Sequence, residues 1–166
     1  MHATASASPS RSTEVTTPGG RNTASTTGRP DVAMVMRQGS DAELSSGIET
    51  PNVSLILAAP GVKKDERGAP IGVGEVVVVV SKEKVGAEGL SNVMVRGVPD
   101  GVLAFRPEVR VTDGRPPRPG TDEAMVGARI RGRFADMELG KRVELRKNRS
   151  VTIVGVFEAA GASYES

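Results

Sequence analysis

Apolar and polar residues alternate along several short stretches of this chain, and that pattern is typical of strands that bury one face. In the closing segment, Val151 and Ile153 alternate with polar residues before the pattern ends at Phe157. Short polar or glycine-containing turns separate these stretches, as expected for a largely β chain. The pattern predicts strands over 31–37, 72–82, 91–98, 109–115, 123–127, 139–145 and 151–159.

The segment after the first predicted strand has helical spacing. The positions at this spacing are Leu44, Ile48, Pro51, Leu55 and Ala59. Ser40 and Glu43 have the spacing of a capping box, in which each side chain satisfies a free backbone amide at the start of a helix. Gly47 and Pro51 interrupt the pattern, and proline removes a backbone hydrogen bond. We therefore expect Pro51 to kink this helix or divide it into two.

A second helix is predicted over 128–134, directly after the strand 123–127. Gly127 would make the turn between them, and Ile130 and Phe134 would share the buried face of the helix. Because the helices do not alternate strictly with the strands, the fold class predicted is α+β, a mixed sheet with two or three helices.

Five consecutive valines, residues 76–80, stand inside the segment GVGEVVVVVSK. An unbroken run of β-branched residues is typical of a strand that is covered on both faces in the middle of a sheet. On this prediction Val78→Asp would bury an unpaired charge and cost several kcal/mol.

The first part of the chain has a different composition. Residues 1–28 are dominated by Ser, Thr, Ala, Gly and Pro, with Val15 as the one large aliphatic residue after Met1. Such a segment cannot bury enough apolar area to offset the entropy lost on ordering. The sequence therefore predicts a disordered tail over 1–28 and a single folded domain over 29–166.

Composition excludes several kinds of site. The chain has no cysteine, so thiol nucleophiles and thiolate metal sites are ruled out, and its one histidine is His2, in the predicted tail. A histidine-dependent triad or multi-histidine metal site therefore cannot be built. Aromatic residues make up 2% and the formal net charge is +2, which leaves little for nucleic-acid stacking or attraction. No nucleic-acid partner is predicted.

Several motifs resemble chemical sites, and each is better explained as part of the scaffold. The glycines of GVGEVV lead into a strand, whereas phosphate cradles open onto a helix. Asp122 and Glu123 are adjacent in sequence, with Asp122 at a predicted turn and Glu123 at the start of a strand. Because successive strand side chains point to opposite faces, the two are poorly placed for acid–base work on one substrate. Asp100 and Asp113 are ordinary turn residues. Ser81, Lys82 and Lys84 form the polar end of a strand. Arg129, Arg131 and Arg133 form the solvated face of a helix. The sequence predicts no catalytic, cofactor-binding or metal-binding residue, no cofactor, and no enzyme.

Three segments, taken in order, resemble a known family. They are ASTTGRPDVAMVMRQGSDAELSS, then VMVRGVPDGVLAFRPEVRVTDGRPPRPGTDEAMVG, then RFADMELGKRVELRKNRSVTIVGVFEAAG. Their order and spacing resemble the MacB-like periplasmic core domain of ABC transporter permeases, a group that includes LolC/LolE and FtsX relatives. The resemblance covers residues 22–166.

The resemblance implies a non-catalytic domain on the periplasmic side of the bacterial inner membrane. It would contact substrate or partner proteins and transmit motion driven by a separate cytoplasmic ATPase. The implied partners are the permease membrane segments, that ATPase, and a second permease copy. Since the family's membrane helices are absent from this sequence, we expect a partial domain, a fragment. The alternative is a free-standing soluble binding module with no transport role.

A fragment would leave apolar side chains uncovered around the first strand and helix. The residues expected to be partly exposed are Val32, Met34, Met36, Leu44, Ile48 and Leu55. On the same reasoning, residues 76–158 are expected to be the better-ordered half.

Overall fold

Strands dominate the structure, a computed structural model that describes residues 2–6, 14–17, 20–27 and 29–159. The chain divides into two units. Unit 1 comprises Met1–Val78 and Arg96–Phe105, and unit 2 comprises Val79–Val95 and Arg106–Ser166.

The element order confirms the predicted α+β class. The strands are β1 His2–Ser6, β2 Glu14–Thr17, β3 Gly20–Thr27, β4 Arg29–Arg37, β5 Gly72–Glu83, β6 Leu90–Gly97, β7 Val109–Gly114, β8 Glu123–Gly127, β9 Arg142–Arg146 and β10 Arg149–Ala159. The helices are α1 Thr50–Leu57 and the short α2 Val102–Phe105, and a 3-10 turn covers Glu43–Ser45. All seven strands predicted from the sequence are present within a few residues of their expected bounds. No helical pattern predicts α2, which is only four residues long.

The first sheet is six-stranded, in the order β2-β3-β4-β1-β5-β6. Strand β1 lies antiparallel between β4 and β5. The structure describes three strands within 1–28, the segment predicted to be a disordered tail. Backbone pairing does not require large apolar side chains, and the β-branched threonines of this segment favour strands. Residues 1, 7–13, 18–19 and 28 of the predicted tail lie outside the described residues.

The core of unit 1 forms where α1 packs near β4. Its buried cluster consists of Val35, Ile48, Val53 and Ile56. Pro51 lies in the first turn of α1, where a missing amide hydrogen costs nothing because that amide has no helical partner. Pro51 thus begins a separate helix and does not kink a longer one.

The predicted capping box is wrong. Ser40 and Glu43 do not cap a helix, because only a 3-10 turn forms here. The Ser40 hydroxyl donates to the backbone oxygen of Ser45 at 3.2 Å, and the Ser45 hydroxyl donates to that of Ala42 at 2.9 Å. The Glu43 carboxylate binds Arg96 instead.

The predicted exposure of the first strand and helix is only partly right. Leu44 and Leu55 are exposed, and Met34 and Met36 are half-buried, as expected. The prediction is wrong for Val32 and Ile48, each of which is 6% exposed. Ile48 is buried because it joins the cluster formed by α1 and β4.

Unit 2 contains a four-stranded sheet centred on β10. This strand pairs with β9 along its first residues and with β7 along its last, both antiparallel, and it pairs with β8 in parallel. The core cluster of unit 2 consists of Val80, Val93, Val126, Ile130, Phe134, Met137, Val143, Ile153 and Val156. The long central strand thus supplies two residues to a core built from many segments.

The helix predicted over 128–134 is wrong. This segment forms turns in which the amides of Ile130 and Arg131 both donate to the Gly127 carbonyl. Gly132 has φ +72°, a left-handed conformation that stops a right-handed helix after one turn. Ile130 and Phe134 are nevertheless buried as predicted, because the turns still point them into the core.

Two glycines allow the chain to approach itself closely at the end of β7. A Cβ atom at Gly114 would lie 2.3 Å from the Val154 carbonyl oxygen, and one at Gly155 would lie 2.3 Å from that of Arg115. Strand β10 shifts register between Val156 and Phe157 at this point. Only residues without a side chain fit this crossing.

The prediction that the valine run is covered on both faces is wrong. Val76, Val78 and Val79 are exposed, and Val80 is buried. Near the start of β5 the buried residues have odd numbers, Val73 and Glu75. Farther along the strand the buried residue, Val80, has an even number. Since successive side chains of a strand point to opposite faces, each face of β5 is covered along only part of its length.

Candidate functional site

A buried ionic triad joins three segments of unit 1. Arg96 on β6 donates from Nη1 to Glu75 Oε2 and from Nη2 to Glu43 Oε2, both at 2.7 Å. The Glu75 side chain has no exposed surface, and those of Arg96 and Glu43 are 18% and 19% exposed. One guanidinium therefore holds a carboxylate from β5 and another from the 3-10 turn.

The position of Glu75 explains why the triad exists. Glu75 lies on the buried side of β5, where an isolated carboxylate would carry a large desolvation cost. Pairing with a guanidinium reduces that cost only when the hydrogen-bond geometry is good, and both distances here are short. We call Glu43, Glu75 and Arg96 the Glu75 triad. Its arrangement fixes the 3-10 turn to the β5–β6 hairpin.

A second cluster lies in unit 2, where Glu123 holds the proline-rich loop 115–120, RPPRPG. Arg115 donates from Nη1 to Glu123 Oε2 at 2.7 Å and from Nη2 to Oε1 at 2.6 Å. Arg118 donates to Oε1 from Nη2 at 2.8 Å and from Nε at 3.2 Å, and its backbone amide donates to Oε2 at 2.9 Å. One carboxylate thus accepts five hydrogen bonds.

This environment fixes the charge of Glu123. Its pKa lies far below the ordinary value of 4.5, chiefly because Arg115 and then Arg118 donate hydrogen bonds to the charged carboxylate. The same contact raises the pKa of Arg115 above its ordinary value. A carboxylate held in this way is a poor general base, since it takes up a proton only in strong acid. The cluster is suited to fixing a loop.

A pH-dependent stability difference is expected for Glu123→Gln. Because the pKa of Glu123 is lower in the folded state, its ionised carboxylate stabilises the protein at pH values above the ordinary pKa of 4.5. This stabilisation declines as the pH falls below that value. We expect Glu123→Gln to unfold at lower urea concentration than the wild type at about pH 7, with the difference shrinking by about pH 3. Glu138→Gln, at an exposed glutamate of unit 2, is the control and is expected to show no such difference. A constant difference at both pH values would contradict this account.

The other motifs weighed from the sequence are structural in their placement. Arg131 pairs with Asp113 at 2.9 Å between two half-exposed side chains, and Asp100 accepts the Gly101 amide at 2.8 Å. The Ser81 hydroxyl donates to Asn92 Oδ1 at 3.2 Å across the β5–β6 hairpin. Lys82 donates to the backbone carbonyl of Glu144. These contacts do not converge on one place.

Sequence reasoning missed both carboxylate clusters. Asp122 and Glu123 were considered only as a pair, whereas the partners of Glu123 are the two arginines before it. The signal for the Glu75 triad was Glu75 itself, an acidic residue directly before five valines. An acid next to so apolar a run requires a cation, and Arg96 on the next strand was the candidate within reach.

The described residues contain no group of three or more potential metal-ligating side chains. Within that same part of the chain, no helix is both long enough and apolar enough to cross a bilayer. Comparison with family models, with curated proteins and with solved structures finds no match for this chain.

Proposed function

We propose that this chain is a non-catalytic extracytoplasmic domain of an ABC transporter permease. In this role it contacts substrate or partner proteins and transmits motion driven by a separate cytoplasmic ATPase. Its place is the periplasmic side of the bacterial inner membrane, next to the permease membrane segments and a second permease copy. The observation that carries the proposal is the ordered resemblance of three segments to the MacB-like periplasmic core domain.

The element order supports the proposal. The second resembling segment contains most of β6, the α2 turn, β7, the proline-rich loop and β8. The third contains the β9–β10 hairpin. The strands that the sequence predicts within these two segments are therefore present. An α+β domain with this order is compatible with the proposed family.

The two carboxylate clusters give a physical basis for transmitting motion. A domain that passes on a force must resist local deformation, and charge clusters whose members are hydrogen-bonded to one another hold segments in one arrangement. The Glu75 triad holds the 3-10 turn to a hairpin in unit 1, and Glu123 holds the proline-rich loop to β8 in unit 2. Each unit thus contains a device of the kind that this role needs.

The burial of Val32 and Ile48 favours the alternative, a free-standing soluble binding module. An incomplete domain would leave these side chains exposed, and they are buried. Amide hydrogen exchange distinguishes the two roles. Protection over residues 31–59 equal to that of β5 would favour the free-standing module, and weak protection there would favour a domain that needs further permease segments.

The genomic neighbourhood tests the proposed function directly. We expect the DNA around this coding segment to encode hydrophobic membrane helices in the same or a neighbouring frame, together with an ABC ATPase. A second test is co-purification of the tagged chain, in its native cell, with the product of that ATPase gene from detergent-solubilised membranes. A neighbourhood without membrane helices and without an ATPase gene would refute the proposal.

A further inference from the structure

The β9–β10 hairpin presents a strongly cationic surface. Five of the nine residues in 141–149 are basic and only Glu144 is acidic. The basic residues are Lys141, Arg142, Arg146, Lys147 and Arg149, and all five are exposed. We call these five residues the basic hairpin.

The backbone of the hairpin places three of these charges, Arg142, Arg146 and Arg149, on one face. Val143 and Leu145 of β9 point toward the core of unit 2, so Arg142 and Arg146 point away from it, with Glu144 between them on the same face. Arg146 and Arg149 lie directly opposite each other across the strands. Two like charges in such a position repel each other and destabilise the pair. An arrangement that costs stability is a reason to look for an anionic ligand.

The charges are also not used internally. None of the five side chains forms an ion pair within the part of the chain that the structure describes. In contrast, Arg96, Arg115, Arg118 and Arg131 all contact carboxylates. Lys82 adds a further cation beside the hairpin, since its ammonium group donates to the Glu144 carbonyl.

We propose that the basic hairpin binds the surface of an anionic lipid bilayer. Clusters of four to eight basic residues bind anionic headgroups, and each residue near the surface contributes separately. Such binding requires several exposed cations close together and no shaped pocket, which is what the hairpin provides. The inference rests on the hairpin alone and holds whether or not the chain serves a permease.

A lipid surface fits the hairpin better than a nucleic acid does. Single-stranded nucleic acids are bound with aromatic stacking, and residues 138–150 contain no aromatic side chain. Duplex DNA is bound by proteins with a broad cationic face, whereas Arg131 and other arginines of this unit are already paired with acids. Long flexible Lys and Arg side chains on a short hairpin reach a flat, disordered anionic surface without ordering it.

Vesicle co-sedimentation of the full chain tests the proposal. The probes are vesicles of phosphatidylcholine alone and vesicles that contain about one third phosphatidylglycerol, a composition with a negative surface potential. The variant is Arg146→Gln/Lys147→Gln/Arg149→Gln. The control is Lys64→Gln/Arg67→Gln/Arg110→Gln, which removes three exposed charges elsewhere. Both variants change the net charge from +2 to −1, since +2 − 3 = −1.

The wild type is expected to bind the anionic vesicles and to lose that binding as salt is raised. The hairpin variant is expected to bind about a hundredfold more weakly, and the control less than about tenfold more weakly. A far-UV circular dichroism melt of each variant verifies folding, and relief of the Arg146–Arg149 repulsion should leave the hairpin variant at least as stable. Equal losses in both variants, or no preference for anionic vesicles, would overturn the proposal. Tighter hairpin-dependent binding to a DNA duplex or to polyglutamate than to the vesicles would overturn it too, in favour of a nucleic acid or an acidic protein.

Discussion

Arg96→Met is expected to lower the free energy of unfolding by about 3–5 kcal/mol, the usual cost of removing one partner from a buried ion pair. The substitution removes the guanidinium that Glu75 contacts at 2.7 Å, and Glu75 has no exposed side-chain surface through which water could replace it. Methionine keeps most of the volume, so packing is disturbed little. The loss would be measured by urea unfolding followed by far-UV circular dichroism, because the chain contains no tryptophan.

Two further variants identify the cause. Glu43→Gln is the control. Because Glu43 is 19% exposed, water can solvate the Arg96 guanidinium once the carboxylate is removed. This variant is expected to lower the free energy of unfolding by about 1 kcal/mol. Glu75→Leu combined with Arg96→Met is expected to recover much of the loss, because apolar residues of similar size often replace a buried pair at little cost. A loss below about 1 kcal/mol for Arg96→Met, or no recovery in the double variant, would contradict a buried charge as the cause.

The strands could be predicted because their signal is local. Alternation over five to nine residues specifies a half-buried strand whatever the rest of the chain does. Strand β8 was predicted with its bounds, and β4 and β10 within two residues of theirs. The order of strands within the sheets could not be predicted in this way. The parallel pairing of β8 with β10, for example, depends on how distant segments meet.

The Glu75 triad could not be predicted from a periodic pattern for the same reason. The partners in the Glu75 triad are separated by 21 and 53 residues, so their spacing carries no periodic signal. The helix predicted over 128–134 failed for a different reason. Its apolar spacing was right, since Ile130 and Phe134 are buried, but one left-handed glycine decided the backbone conformation. Gly132 was visible in the sequence, and its conformation was not.

The valine run failed because composition does not report which face is covered at each point along a strand. A run of valines is compatible with a strand that is buried on both faces. It is equally compatible with a strand whose covered face changes along its length. Within unit 1 the buried residues of β5 are Val73 and Glu75, and within unit 2 the buried residue is Val80. The residues between these positions are left exposed or half-buried, and this arrangement can be tested with two substitutions.

Val80→Asp is expected to lower the free energy of unfolding by several kcal/mol more than Val78→Asp. Val80 is 8% exposed and packs in the core of unit 2 with Val93 and Phe134, whereas Val78 is 45% exposed. Both substitutions place the same poor strand former in β5, so the cost of strand propensity, about 1 kcal/mol, cancels in the comparison. What remains is the burial of an unpaired carboxylate at one position and its hydration at the other.

Urea unfolding of both variants gives the comparison, and amide exchange locates the change. Val80→Asp should lose protection at the core strand β10, for example at Ile153, which belongs to the same cluster. Val78→Asp should keep it. Equal and large losses for the two variants would mean that the valine run is covered on both faces after all, and equal and small losses would mean that Val80 is not part of a packed core. Only a large difference, with the loss at Val80, agrees with a strand whose covered face changes along its length.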